Sequence, residues 1–105
     1  MNKKQQPFFN PELSGFCSQM AMILHSGISP LEGITIMLED STSDQEKDIL
    51  QQILDTLQET ADFSLSLKET SLFPSYLVHM VQIGEETGTL DEVMSALSEH
   101  YERED

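Results

Sequence analysis

Ser29, Ser43 and Thr89 each stand three residues ahead of a glutamate, Glu32, Glu46 and Glu92, and each opens onto an apolar run. That is the capping-box spacing, in which a hydroxyl accepts a first-turn N–H and the acid reaches back. Gly27 lies two residues before Ser29 and Gly88 directly before Thr89, where each fits the left-handed position that ends a helix. Pro30 after Ser29, and Pro74 after Phe73, suit the opening of a helix because the missing N–H is not needed there. A chain punctuated this way is committed to short helices joined by tight turns.

The apolar spacing fills in those helices. Asn10-Pro11 supplies an N-cap and a first-turn proline, and Leu13, Phe16, Cys17, Met20, Ile23 and Leu24 recur at helical period before Gly27. The second helix carries Leu31, Ile34, Ile36, Met37 and Leu38, which cover more than one face and predict burial between neighbours or a subunit contact. The third shows a narrow stripe of Leu50, Ile53, Leu54, Leu57 and Ala61. Between Asp62 and Leu72 the pattern alternates like a strand, but a lone strand has no pairing partner, so a short irregular helix is expected. Tyr76, Leu77, Met80, Val81 and Gly84 mark the fifth helix, and Leu90, Val93, Met94, Leu97 and Tyr101 the sixth. The expected fold is all-α, a compact bundle of five to six antiparallel helices. Residues 1–10 are expected to be a flexible lead, 11–103 the helical domain and 104–105 a tail.

Charge narrows the function. Five Lys+Arg against 19 Asp+Glu give a formal charge of -14, which repels phosphate backbones and anionic headgroups. Nucleic acid is excluded as a partner, and basic protein surfaces are favoured. The stretch Leu13–Leu31 lacks formal charge, but its serines, Gln19, His25 and Pro30 make it too polar to span a bilayer. The start of the chain, with Lys3 and Lys4 and no apolar run behind them, is not a secretory signal, and a cytosolic setting is expected.

Chemistry is sparse. The single Cys17 allows no intramolecular disulfide and no multi-cysteine metal site, and its apolar neighbours predict a buried thiol. Asp40, Thr42 and Asp44 imitate the start of a calcium loop, but Gln45 replaces the required glycine and Gln51 the closing glutamate. His25, His79 and His100 fall on three helices without metal-ligand spacing. No catalytic residue and no cofactor are expected. One acidic cluster is unusual: Glu85 and Glu86 precede Gly88 at a helix C-terminus, where the dipole disfavours negative charge, while Asp91 and Glu92 come next at a favourable N-terminus. A hydrogen bond back to the cap of the sixth helix, a basic partner, or a weakly held divalent cation on Glu85 and Glu86 would offset the cost.

The segment Phe16-Cys17-Ser18-Gln19-Met20-Ala21 through Gly27-Ile28-Ser29-Pro30-Leu31-Glu32-Gly33-Ile34, with Gly84-Glu85-Glu86-Thr87-Gly88-Thr89-Leu90-Asp91-Glu92, resembles the F-type inner-membrane platform proteins of type II secretion, type IV pilus and competence machines. The likeness runs from about Leu13 to Glu102. It implies the first of two cytoplasmic helical domains of a membrane-anchored parent, on the cytoplasmic face of the bacterial inner membrane. It further implies a non-catalytic scaffold that docks the cytoplasmic assembly ATPase and sister platform components, with a membrane helix expected beyond residue 105. Glu85, Glu86, Asp91 and Glu92 are the expected partner-binding residues; Gly27, Ser29, Pro30, Pro74, Gly84, Gly88 and Thr89 are the expected structural turns. Two departures stand out: Ser18 replaces a basic residue common in the family, and Glu59–Leu65 lacks the glycine usual between the third and fourth helices. Two rivals are a free-standing acidic adaptor for a basic protein and a small carboxylate–metal protein. Homodimerisation is a further expectation, from the second helix and the six methionines.

Overall fold

The computed structural model describes Phe8 and residues 10–103. Six helices run in order: α1 Asn10–His25, α2 Pro30–Asp40, α3 Asp44–Thr60, α4 Phe63–Lys68, α5 Ser75–Thr87 and α6 Leu90–Arg103. The architecture is the expected all-α bundle, and the ambiguous stretch after Asp62 is the short helix α4. The expected lead and tail fall almost wholly outside the described residues. Two residues of that lead are described: Asn10 opens α1, and Phe8 donates its N–H to the Leu72 carbonyl at 3.2 Å and sets its ring edge-on to Phe73 at 5.1 Å.

The short turns suggest that α1 with α2, and α5 with α6, form the two rigid hairpins. α5 does pack on α6, but the main partner of α1 is α6, at the other end of the chain, and its contact with α2 is slight. The α1–α6 seam is antiparallel. His25 near the end of α1 meets Asp91 at the start of α6, while Ser14 and Ser98 exchange hydroxyl-to-carbonyl bonds of 3.2 and 3.3 Å. α2 instead lies on α3, and α3 through α5 close the ring.

Apolar burial holds this arrangement together. Cys17, Met20, Ile34, Ile53, Phe63, Leu77, Val81 and Met94 are wholly buried, drawn from every helix. A fully buried side chain of this kind stabilises by about 1.5–3 kcal/mol, so the seam and core dominate the fold. Ile49 joins the α3 stripe, which the spacing did not include, whereas Ala61 leaves it: Ala61 is the exposed cap that ends α3. α2 shows why its apolar residues cover two faces. Ile34 and Met37 enter the core, while Leu31 and Ile36 remain 38% and 39% exposed. The buried hydroxyls of Ser66 and Thr70 donate back into α4, to the carbonyls of Phe63 and Leu67 at 2.6 and 2.8 Å.

Candidate functional site

The expected acidic cluster surrounds the α5–α6 turn. Gly88 ends α5 in the left-handed region at φ 72°, as Gly27 ends α1 at φ 87°. An N–H there returns to the carbonyl of Gly84, as does that of Thr89 at 3.0 Å, so the one Gly84 carbonyl takes both N–H groups and closes the turn. Gly84 is a different case from Gly27 and Gly88, because it lies inside α5 rather than at a turn. A Cβ at that position would stand 3.0 Å from Val93 Cγ2 and 3.1 Å from Leu90 Cα, so its absence lets α6 begin directly against α5.

The serine caps form as the spacing predicts: Ser29 Oγ accepts from the Glu32 N–H and Ser43 Oγ from the Glu46 N–H, each at 3.2 Å. Pro74 precedes α5 with extended backbone and no side-chain cap. Thr89 departs from expectation. Its hydroxyl pairs with that of Thr87 at 2.7 Å, and the Glu92 N–H goes instead to Asp91 Oδ1 at 2.9 Å. The turn is short enough to bring the two threonines together, and Asp91, two residues after Thr89, accepts that N–H in its place.

The four carboxylates separate into different tasks. Glu85 turns inward, and its two oxygens accept the N–H groups of Phe63 at 2.8 Å and Ser64 at 3.1 Å. The offset for its place at the end of α5 is therefore a hydrogen bond to a helix start, but that of α4 rather than α6. Asp62 completes the same cap by accepting from the Leu65 N–H at 3.1 Å and the Ser64 hydroxyl at 2.9 Å. Asp91 Oδ2 lies 3.0 Å from His25 Nδ1, and the other ring nitrogen of His25 lies 3.3 Å from Ser95 Oγ, which ties the end of α1 to the first turns of α6. Glu86 is exposed, with Gln82 Nε2 at 3.4 Å, and Glu92 is exposed on α6. The outward acidic surface thus consists of Glu86 and Glu92 with part of Asp91.

Nothing draws these groups into one ligand set: among the described residues no three of His, Cys, Asp and Glu are placed to share a metal ion. Cys17 is wholly buried, and burial pushes its thiol from 9.0 up to about 12, so it stays protonated at neutral pH. The Glu85 and His25 contacts join residues at least 21 apart in sequence, so no local spacing announces them. Asp62, just ahead of the alternating Phe63, Leu65 and Leu67, is the one readable sign of the α4 cap.

The family model for type II secretion system protein F matches residues 16–105. The chain belongs to that family. It is 28% identical over 102 residues to the type II secretion system protein F of Xanthomonas campestris, covering 95% of this chain and 25% of that protein. It is 31% identical over 90 residues to the type IV pilus assembly protein PilC of Thermus thermophilus, covering 85% and 22%. Against the protein transport protein HofC homolog of Escherichia coli it is 35% identical over 75 residues, covering 70% and 19%. The chain thus spans about a quarter of the length of these relatives or less. Among the described residues no helix is long and apolar enough to cross a membrane.

Proposed function

We propose that this domain is a non-catalytic scaffold of the membrane platform in a type II secretion or type IV pilus assembly machine. It docks the cytoplasmic assembly ATPase and sister platform components at the cytoplasmic face of the inner membrane. The match of the family model across residues 16–105 carries this reading. Two features of the chain support it. The titratable groups are spread over separate elements and engaged in helix capping and pairing, which suits a scaffold better than a reaction centre. The formal charge of -14 also favours basic protein partners over the headgroups of an anionic membrane.

In this reading Glu86 and Glu92 make the outward contacts, while Glu85 and Asp91 hold the turn that presents them. The test is charge reversal, Glu86→Lys with Glu92→Lys, in the membrane-anchored parent, with binding to the purified ATPase measured across salt concentrations. Affinity should fall at least tenfold at low salt, and the wild-type interaction should weaken as salt screens it. The reading fails if the parent binds no component of its machine and deleting its gene leaves secretion and pilus assembly intact.

A further inference from the structure

Away from the α5–α6 turn, the first half of α1, the α2–α3 junction and Leu72–Phe73 enclose an open groove of about 810 Å³. Its floor is apolar, formed by Phe16, Met37, Ile49 and Phe73, with Phe16 only half-buried. Its rim is acidic: Glu12, Asp40 and Glu46 are all exposed, and no described Lys or Arg lines it. Gly15 forms part of the wall in the middle of α1. Glycine is second only to proline as a poor helix former, so a glycine there needs a reason. Neither a left-handed turn nor internal packing supplies one: Gly15 does not have positive φ, and among the described residues nothing lies within 4 Å of where its Cβ would be. The bare backbone leaves room for something from outside.

We propose that this groove is the docking site for a cationic amphipathic helix of a partner protein. Its apolar side chains lie over Phe16 and Met37, its lysines or arginines reach Asp40 and Glu46, and its backbone passes closest at Gly15. The sign of the charge selects the occupant. A second copy of this chain would bring another -14 against an acidic rim, and nucleic acid or anionic lipid would meet the same repulsion. Laying an apolar stripe in a groove while charges read the rim is an established mode of helix recognition. That the partner belongs to the assembly machine rests on the proposed function; the chemistry of the groove does not.

The probe is a synthetic 14-residue helix of leucine and lysine, titrated into the 105-residue chain carrying methyl-labelled Met and Ile, with a leucine–glutamate helix as control. Saturable shifts are expected at Met37 and Ile49 but not at Met94, and the glutamate peptide should not bind. Gly15→Gln should weaken binding at least tenfold while the melting temperature holds or rises, since glutamine favours the helix and fills the wall. D40K/E46K should weaken it at least tenfold, E86K/E92K less than threefold. Equal losses from the two double variants would reduce the effect to bulk charge and overturn the proposal. So would shifts outside the groove, wild-type binding by Gly15→Gln, or sedimentation showing that the chain dimerises through Phe16 and Met37. If the peptide binds as expected but deleting the parent gene leaves assembly intact, the platform reading fails and the groove stands. Absent binding beside lost assembly gives the reverse.

Discussion

Two corners of the molecule solve the same problem with opposite means. The α3–α4 corner and the α5–α6 corner both end a helix with a left-handed residue, Ala61 at φ 57° and Gly88 at φ 72°. Glycine adopts that conformation freely, whereas alanine must crowd its Cβ against the backbone at a cost of about 1–2 kcal/mol. The cheap corner uses little else, and its threonine hydroxyls bond to each other. The costly corner is fastened twice over, by Asp62 from its own turn and by Glu85 from α5. Where the local sequence is unfavourable, contacts from distant residues impose the shape. The neighbours Gly84 and Glu85 connect the two, since one admits α6 and the other caps α4.

The largest effect should come from Glu85→Ala, which leaves two part-buried N–H groups of α4 without their acceptor and should cost about 2–3 kcal/mol. For a domain of this size that lowers the melting temperature by roughly 10 °C, readable by calorimetry or circular dichroism. An effect as small as that of Glu86→Ala would mean that the costly corner needs no distant fastening. Next, Gly84→Ala should destabilise by about 1–2 kcal/mol in urea unfolding, because the clash at 3.0–3.1 Å outweighs the gain in helix propensity.

Exchanging the residues sharpens the contrast. Ala61→Gly should stabilise and Gly88→Ala destabilise, each by about 1 kcal/mol, a pair of opposite signs measurable in the same denaturant series. The smallest contrast lies in the caps. Asp62→Ala should cost about 1 kcal/mol and Thr89→Ala only a few tenths, since the Thr89 hydroxyl accepts no first-turn N–H. Equal losses would show that the threonine pair matters as much as a true cap.

These corners also mark what the amino-acid order could and could not disclose. Helix existence was legible because Gly27, Ser29, Pro30, Ser43 and Gly88 act within a few residues of themselves. The left-handed Ala61 was not, because alanine carries no local preference for it and is held there by the fastening of α4 through Asp62 and Glu85. The inward turn of Glu85 depends on α4 and α5 meeting in space, and the α1–α6 seam depends on the whole path of the chain between them. The acidic cluster around Gly88 was therefore visible as a composition, but the division between capping acids and outward acids was not. Gly15 passed unnoticed for the opposite reason: it lies in the wrong place for a turn, and its meaning appears only beside Glu12 and Phe16 on an open wall.

The antiparallel seam of α1 and α6 has a mechanical consequence. Because Ser14 and Ser98 are partners, the first and last described helices leave the bundle side by side at one pole. Tension applied through the two ends of the domain would load the seam like a zipper, opening Ser14–Ser98 before His25–Asp91 and breaking contacts in sequence rather than all at once. Small forces would then suffice to part it, and the hydroxyl exchange nearest the pull would be the first link to give.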